Sequence, residues 1–173
     1  MLSPSAAEQA VFFATHEIEP NDERLLLRYK TELAEVPLWI LFLRPKSRQP
    51  LALQRLRTAG VPNFVWNRHK IGSQLPRLAA ALARAERDNG SAYSQTPEPN
   101  LKLYFFMHSA LLLWLRAHGA SYPRLRYMWR LEPDVLFAGP LSHLVSLAAQ
   151  HVSADVLLPK LWLQENVPPR SAR

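Results

Sequence analysis

The chain predicts an α/β fold, a three-layer sandwich in which helices cover both faces of a mostly parallel central sheet. Three observations lead there. Residues 10–15 (AVFFAT) and 38–43 (LWILFL) are short continuous apolar runs, the pattern of strands buried on both faces rather than on one. A helical stretch stands between them, so strand, helix and strand alternate as in a βαβ unit with a right-handed crossover. A later run with strand character, residues 127–131 (YMWRL), passes into Glu132-Pro133-Asp134, after which a second apolar run, 135–138, stops at Gly139-Pro140.

Composition sets the bounds. With 173 residues, 48% of them hydrophobic and 10% aromatic, the chain is long enough for one domain with a sizeable core, expected over residues 1–167 with an unstructured tail at 168–173. The absence of cysteine excludes a disulfide framework, Cys-ligated zinc and thiol catalysis. Five glycines leave no Walker or dinucleotide fingerprint, and no Ser-His-Asp spacing or H-E-x-x-H is present. The N-terminal decapeptide is polar and small, unlike a signal peptide, and the most apolar stretch, 101–115, is broken by Lys102, His108 and Ser109, so no transmembrane segment is expected.

The net charge of +7 is unevenly spread. Residues 1–40 carry seven acidic and three basic groups, residues 41–90 two and ten, and the remainder five and eight. A basic second quarter suits an anionic partner, whether a nucleoside diphosphate, nucleic acid or an anionic surface.

Taken in order, the strand at 10–15 runs into His16-Glu17 and Ile18-Glu19-Pro20. Asn21 is the expected N-cap of the first helix, with Asp22 and Glu23 in its first turn where acidic groups suit the helix dipole. Leu25, Leu26, Leu27, Tyr29 and Leu33 carry it for about four turns, until Pro37. After the second strand a basic segment with Pro45 and Pro50 leads to a short helix at 51–58, Gly60-Val61-Pro62 punctuates, and residues 63–66 form a short third strand. Ser73 is the expected cap of a helix running to Asp88 with Gly90 as its stop. Residues 91–99 (SAYSQTPEP) read as loop. An apolar helix starts at Asn100 and closes at His118-Gly119. Beyond the strand at 127–131, residues 141–150 have the periodicity of an amphipathic helix, and 154–158 (ADVLL) form a further strand ending at Pro159.

The chemistry concentrates at residues 132–134. Pro133 biases Glu132 towards an extended conformation, so the chain stays extended to the strand's end and then bends. Two carboxylates are thereby presented where α/β sheets hold ligands. Glu132 and Asp134 can meet a hard divalent cation, Mn²⁺ or Mg²⁺, one directly and one through water. E-P-D is also an ordinary turn sequence in which Asp134 bonds its own backbone.

Tyr127-Met128-Trp129-Arg130-Leu131-Glu132-Pro133-Asp134 resembles the Y-x-W-R-V-E-P segment of the fungal α-1,2-mannosyltransferases, Golgi enzymes that use a nucleotide sugar and manganese in a GT-A fold. In that family the glutamate of the segment stands in for the D-x-D motif of other GT-A glycosyltransferases. The resemblance implies a GT-A/Rossmann-like sandwich, Glu132 as the principal metal contact, a UDP- or GDP-hexose donor, a glycan or protein acceptor, and a Golgi or ER lumenal setting. The family's cysteine shortly after the motif has no counterpart in a chain without Cys, so the implication is glycosyltransferase type rather than mannose. Since 39 residues follow Asp134, a domain truncated on its C-terminal, acceptor side, or one without turnover, is expected.

Other groups have two readings each. His16 and Glu17, after the first strand, would meet the base or ribose of a nucleotide, or are a solvated loop. His69 and Lys70 would meet phosphate, or are a soluble surface cluster. Arg130 would share the diphosphate's charge, or pairs with a carboxylate across the sheet, while Trp129 faces the other way, into the core. His108 reads as a core histidine and Asp155 as a cap or turn residue. The rival to a glycosyltransferase is a non-catalytic α/β scaffold or binding domain whose basic surface meets an anionic partner such as RNA. Under the leading reading nucleic acid is not the expected partner.

Overall fold

The computed structural model describes residues 7–43, 51–88, 108–133, 135, 137 and 139–151. Residues Met1–Leu141 belong to one compact unit and Ser142–Arg173 to a second. Four strands, β1 (Gln9–Thr15), β2 (Leu38–Leu43), β3 (Asn63–Trp66) and β4 (Tyr127–Leu131), make one sheet in the order β3-β2-β1-β4. Every pairing in it is parallel. The helices are α1 (Pro20–Glu32), α2 (Leu51–Thr58), α3 (Arg68–Gln74), α4 (Pro76–Asp88) and α5 (His108–His118), the last followed by a 3₁₀ turn at Gly119–Ser121, and α6 (Leu141–His151) after β4. Among the described residues no helix is long and apolar enough to cross a membrane.

The continuous apolar strands are buried on both faces, as their composition requires. Successive side chains of a strand face opposite sides of the sheet. Ala10, Phe12 and Ala14 of β1 share a core with Leu41 and Leu43 of β2, Phe64 and Trp66 of β3, Ile71 of α3, and Leu113 and Trp114 of α5. The alternate set, Val11 and Phe13 with Ile40 and Phe42, is equally buried. That second face belongs to α1 and α2, which pack on one another and bring Leu26, Tyr29, Leu33, Leu53 and Leu56 to the core. Each such side chain stabilises the fold by about 1.5–3 kcal/mol when fully buried. The steps β1-α1-β2 and β2-α2-β3 move one way across the sheet and the return to β4 moves the other. Right-handed crossovers then put the two groups of helices on opposite faces.

Two helix starts differ from expectation. Glu19, not Asn21, is the N-cap of α1, with φ −82° and ψ 162°. Pro20 suits the first helical position, and Asp22, three residues past the cap, accepts the Glu19 N–H at 3.0 Å, so the helix begins two residues early. The expected helix from Ser73 to Asp88 is two helices. Asn67 caps α3, accepting the Lys70 N–H at 2.9 Å, while the Ser73 hydroxyl donates to the Lys70 carbonyl inside that helix. Pro76 then pushes Leu75 out of helical geometry, to φ −131° and ψ 60°, and opens α4. Gly60, at φ 84°, ends α2 in the left-handed conformation that glycine adopts without penalty. The basic segment at 44–50, the loop at 91–99, the start of the apolar helix at 100, Asp155 and the strand expected at 154–158 lie outside the described residues.

Candidate functional site

Phe13 of β1 stands opposite Leu131 of β4, where the strand order reverses. In open α/β sheets ligands bind outside the carboxyl ends of the strands at such a point. Both strands end in tight turns. The hydroxyl of buried Thr15 donates to the Glu17 carbonyl at 2.5 Å and accepts the Glu17 N–H at 3.2 Å, which turns the chain at once and leaves His16 and Glu17 exposed. Beyond Leu131 the Val135 N–H donates to the Glu132 carbonyl at 3.1 Å, a four-residue turn with Pro133 in the position proline favours. The chain therefore turns from Glu132 and Pro133, and the Glu132 carboxylate has a side-chain partner. Asp134 lies outside the described residues.

That partner is Arg130. Side chains two apart on a strand share a face, and the Arg130 guanidinium donates to Glu132 Oε1, with the two side chains 36% and 32% exposed. Pairing across the sheet is thus corrected to pairing along the strand. The register partner of Arg130 on β1 is Phe12, which has no charge to offer. Trp129, on the opposite face, is half-buried rather than core, and its Nε1 donates to Gln9 Oε1 at 2.9 Å.

Beside these strand ends lies an open cleft of about 440 Å³, lined by Glu19, Asn21, Asp22, Arg24, Leu25 and Arg28 of the α1 end and by Pro133. At the start of α1 the Asp22 carboxylate accepts the Glu19 N–H. Arg24 is held by Asn21 Oδ1. Arg28 donates to Glu32 at 2.6 Å and to the Gly139 carbonyl at 3.4 Å, while Glu32 also accepts the Leu141 N–H at 2.8 Å. Burial alone would push the Glu32 carboxyl up, but the Arg28 guanidinium and the Leu141 N–H outweigh it and hold it below the usual range. The segment leaving β4 is in this way fastened back onto α1. The sequence analysis gives Asn21, Asp22 and Leu25 a place in the helix but assigns no cleft residue on α1 to a site, although Asn21, Arg24 and Arg28 recur at helical spacing as the polar counterpart of the leucines.

His69 and Lys70 do not join this site. They open α3 beyond β3, and β3 is three strand spacings from β4, roughly 14 Å. The Lys70 ammonium donates to the Val65 carbonyl at 2.6 Å and lies 4.7 Å from the centre of the Phe64 ring, whereas His69 is exposed. The register sets the ends of β1 and β4 side by side, with His16 and Glu17 after one and the Arg130–Glu132 pair at the other; none of the four lines the cleft, and the basic pair stands at the far edge. A second cluster also went unread: the His118 ring packs against Trp39, Phe64 and Trp114 at 4.8, 5.8 and 5.6 Å. Burial, then the nearby Lys70 ammonium, lowers the His118 pKa.

Among the described residues no three His, Asp or Glu side chains form a preformed metal cage. A lone carboxylate at a strand end fits the other mode of hard cations, which take one or two carboxylates and complete their shell with water and substrate phosphates. The chain matches no protein-family model, none of the curated proteins and none of the solved structures with which it was compared.

Proposed function

We propose that this chain is a GT-A-like domain that binds a nucleotide-sugar donor with a divalent ion, Mn²⁺ or Mg²⁺, for transfer of a hexose to a glycan or protein acceptor. The observation that carries the reading is the position of Glu132, at the carboxyl end of β4, beside β1 at the reversal of strand order. Its resemblance to the metal-bearing glutamate of the mannosyltransferase segment supplies the chemistry. Bound with the donor, the ion offsets the charge of the departing diphosphate. Glu132 is its carboxylate contact and Asp134 the second candidate, while Arg130 puts a guanidinium beside that charge. His16 and Glu17, exposed after β1, face the nucleoside end. Fold alone does not carry activity, so the test is binding: titration with Mn²⁺ and UDP- or GDP-sugars, followed by melting temperature or tryptophan fluorescence. A shift that needs both metal and nucleotide and disappears in Glu132→Ala supports the reading.

One observation favours the rival, a non-catalytic α/β binding domain: the Glu132–Val135 turn and the Arg130–Glu132 pair are satisfied without ligand. RNA on a single basic face has less support. The described cations of the basic quarter are divided between α2 on one face of the sheet and α3 and α4 on the other, and Arg55 is bound bidentately by Glu23. RNA binding that ignores metal and falls steeply with salt would favour the rival.

A further inference from the structure

Arg130 and Glu132 were two separate candidates, yet each occupies the other. The guanidinium sits on the carboxylate that a cation would need, and no carboxylate opposes it from β1, where its register partner is Phe12. Both side chains are about one-third exposed. A pair so open to water biases the protein by no more than about fivefold, so it holds the carboxylate in place without closing it to a competitor of higher charge. The guanidinium, for its part, is planar and presents parallel N–H donors that match a phosphate as well as a carboxylate.

We propose that Arg130 is an exchangeable counter-ion of Glu132. In the ligand-free protein it neutralises the carboxylate; when a divalent cation arrives with a diphosphate, the cation takes Glu132 and the released guanidinium moves onto the diphosphate oxygens. The exchange rests on the glycosyltransferase-like reading of the site and adds to it an order of events. Without an anion to receive it, the guanidinium competes with a cation for the carboxylate, and weakens cation binding by no more than about fivefold. The Arg130 side chain is exposed to solvent, which leaves it room to move.

The exchange separates two affinities that a merely structural ion pair would not. Binding of Mn²⁺ alone, from the loss of its free electron-spin signal, and of GDP with Mn²⁺, by calorimetry, are measured for wild type, Arg130→Gln and Glu132→Gln. Arg130→Gln is expected to bind Mn²⁺ alone about two- to fivefold more tightly, since a competing cation has gone. The same variant is expected to bind GDP with Mn²⁺ about tenfold more weakly, since a charge-assisted contact to phosphate has gone. Glu132→Gln is expected to lose both. If wild type binds GDP with Mn²⁺ through Glu132 but Arg130→Gln leaves both affinities unchanged, or weakens both, the exchange is wrong and the site reading stands. If neither wild type nor Arg130→Gln binds GDP with Mn²⁺, the site reading falls and the exchange falls with it.

Discussion

The Glu32 carboxylate at the end of α1 accepts the backbone N–H of Leu141 at 2.8 Å while holding Arg28 at 2.6 Å. The tie joins positions 109 residues apart in the chain and fastens the segment that leaves β4 onto the helix that lines the cleft. Hydrogen bonds to a charged group contribute about 1.5–3 kcal/mol each when sheltered, and the Glu32 side chain is 19% exposed. Glu32→Ala should therefore cost about 1–2 kcal/mol in urea unfolding, and Arg28→Ala, whose side chain is 51% exposed, less. Equal stability of Glu32→Ala and wild type would mean that the tie contributes nothing.

The same group predicts a response to acid. Glu32 has a folded-state pKa below the ordinary carboxyl value of 4.5, so the folded protein binds its proton less readily than the unfolded chain. Its contribution is fully present above pH 4.5 and is lost as pH falls from there through the folded value. Unfolding free energy measured from pH 6 down to pH 3 should fall less steeply in Glu32→Gln than in wild type.

His118 acts at higher pH and with the same sign of proton count. Its pKa lies below the ordinary imidazole value of 6.5, from burial first and Lys70 second, so the folded state disfavours the imidazolium. Stability is complete above pH 6.5 and declines as pH drops below it, because the unfolded chain then binds the extra proton. Melting temperatures between pH 7.5 and pH 5.5 should fall more in wild type than in His118→Phe, which keeps a ring among Trp39, Phe64 and Trp114. Parallel curves would show that the aromatic setting does not bias His118.

The core at the same place is vulnerable to truncation. Trp114 is fully buried and packs T-shaped on Phe12, with ring centres 4.7 Å apart. Trp114→Ala should cost about 3–5 kcal/mol, a large part of the roughly 5–15 kcal/mol that holds a domain together. Leu112→Ala on the same helix, where the leucine is 49% exposed, should cost under about 0.5 kcal/mol.

What could be read from the residues and what could not divide along physical lines. β2, α2, β3 and β4 were legible because local signals bound them: Pro37 before LWILFL, Gly60-Val61-Pro62 between α2 and β3, and E-P-D after YMWRL. The split at Leu75 is equally local: Ser73 has the residue type of a cap, but Pro76 governs the backbone there. Strand order was not legible, since nothing local says on which side of β1 the long return from β3 comes to rest. That return decides the site. It sets Glu132 beside the end of β1 and strands Lys70 at the opposite edge, although both had looked like strand-end candidates. The Arg130–Glu132 pair was half legible: the spacing of two was visible, whereas the choice of a partner along the strand followed from the apolar Phe12 opposite.

The most direct measurement is the melting temperature of wild type and Glu132→Ala with Mn²⁺ alone, GDP-sugar or UDP-sugar alone, and both together. A ligand at 100 times its Kd raises stability by about 2.7 kcal/mol, several degrees for a domain of this size. The account predicts that rise in wild type only when metal and nucleotide sugar are both present, and its absence in Glu132→Ala. Identical melting of the two proteins under all three conditions would contradict it.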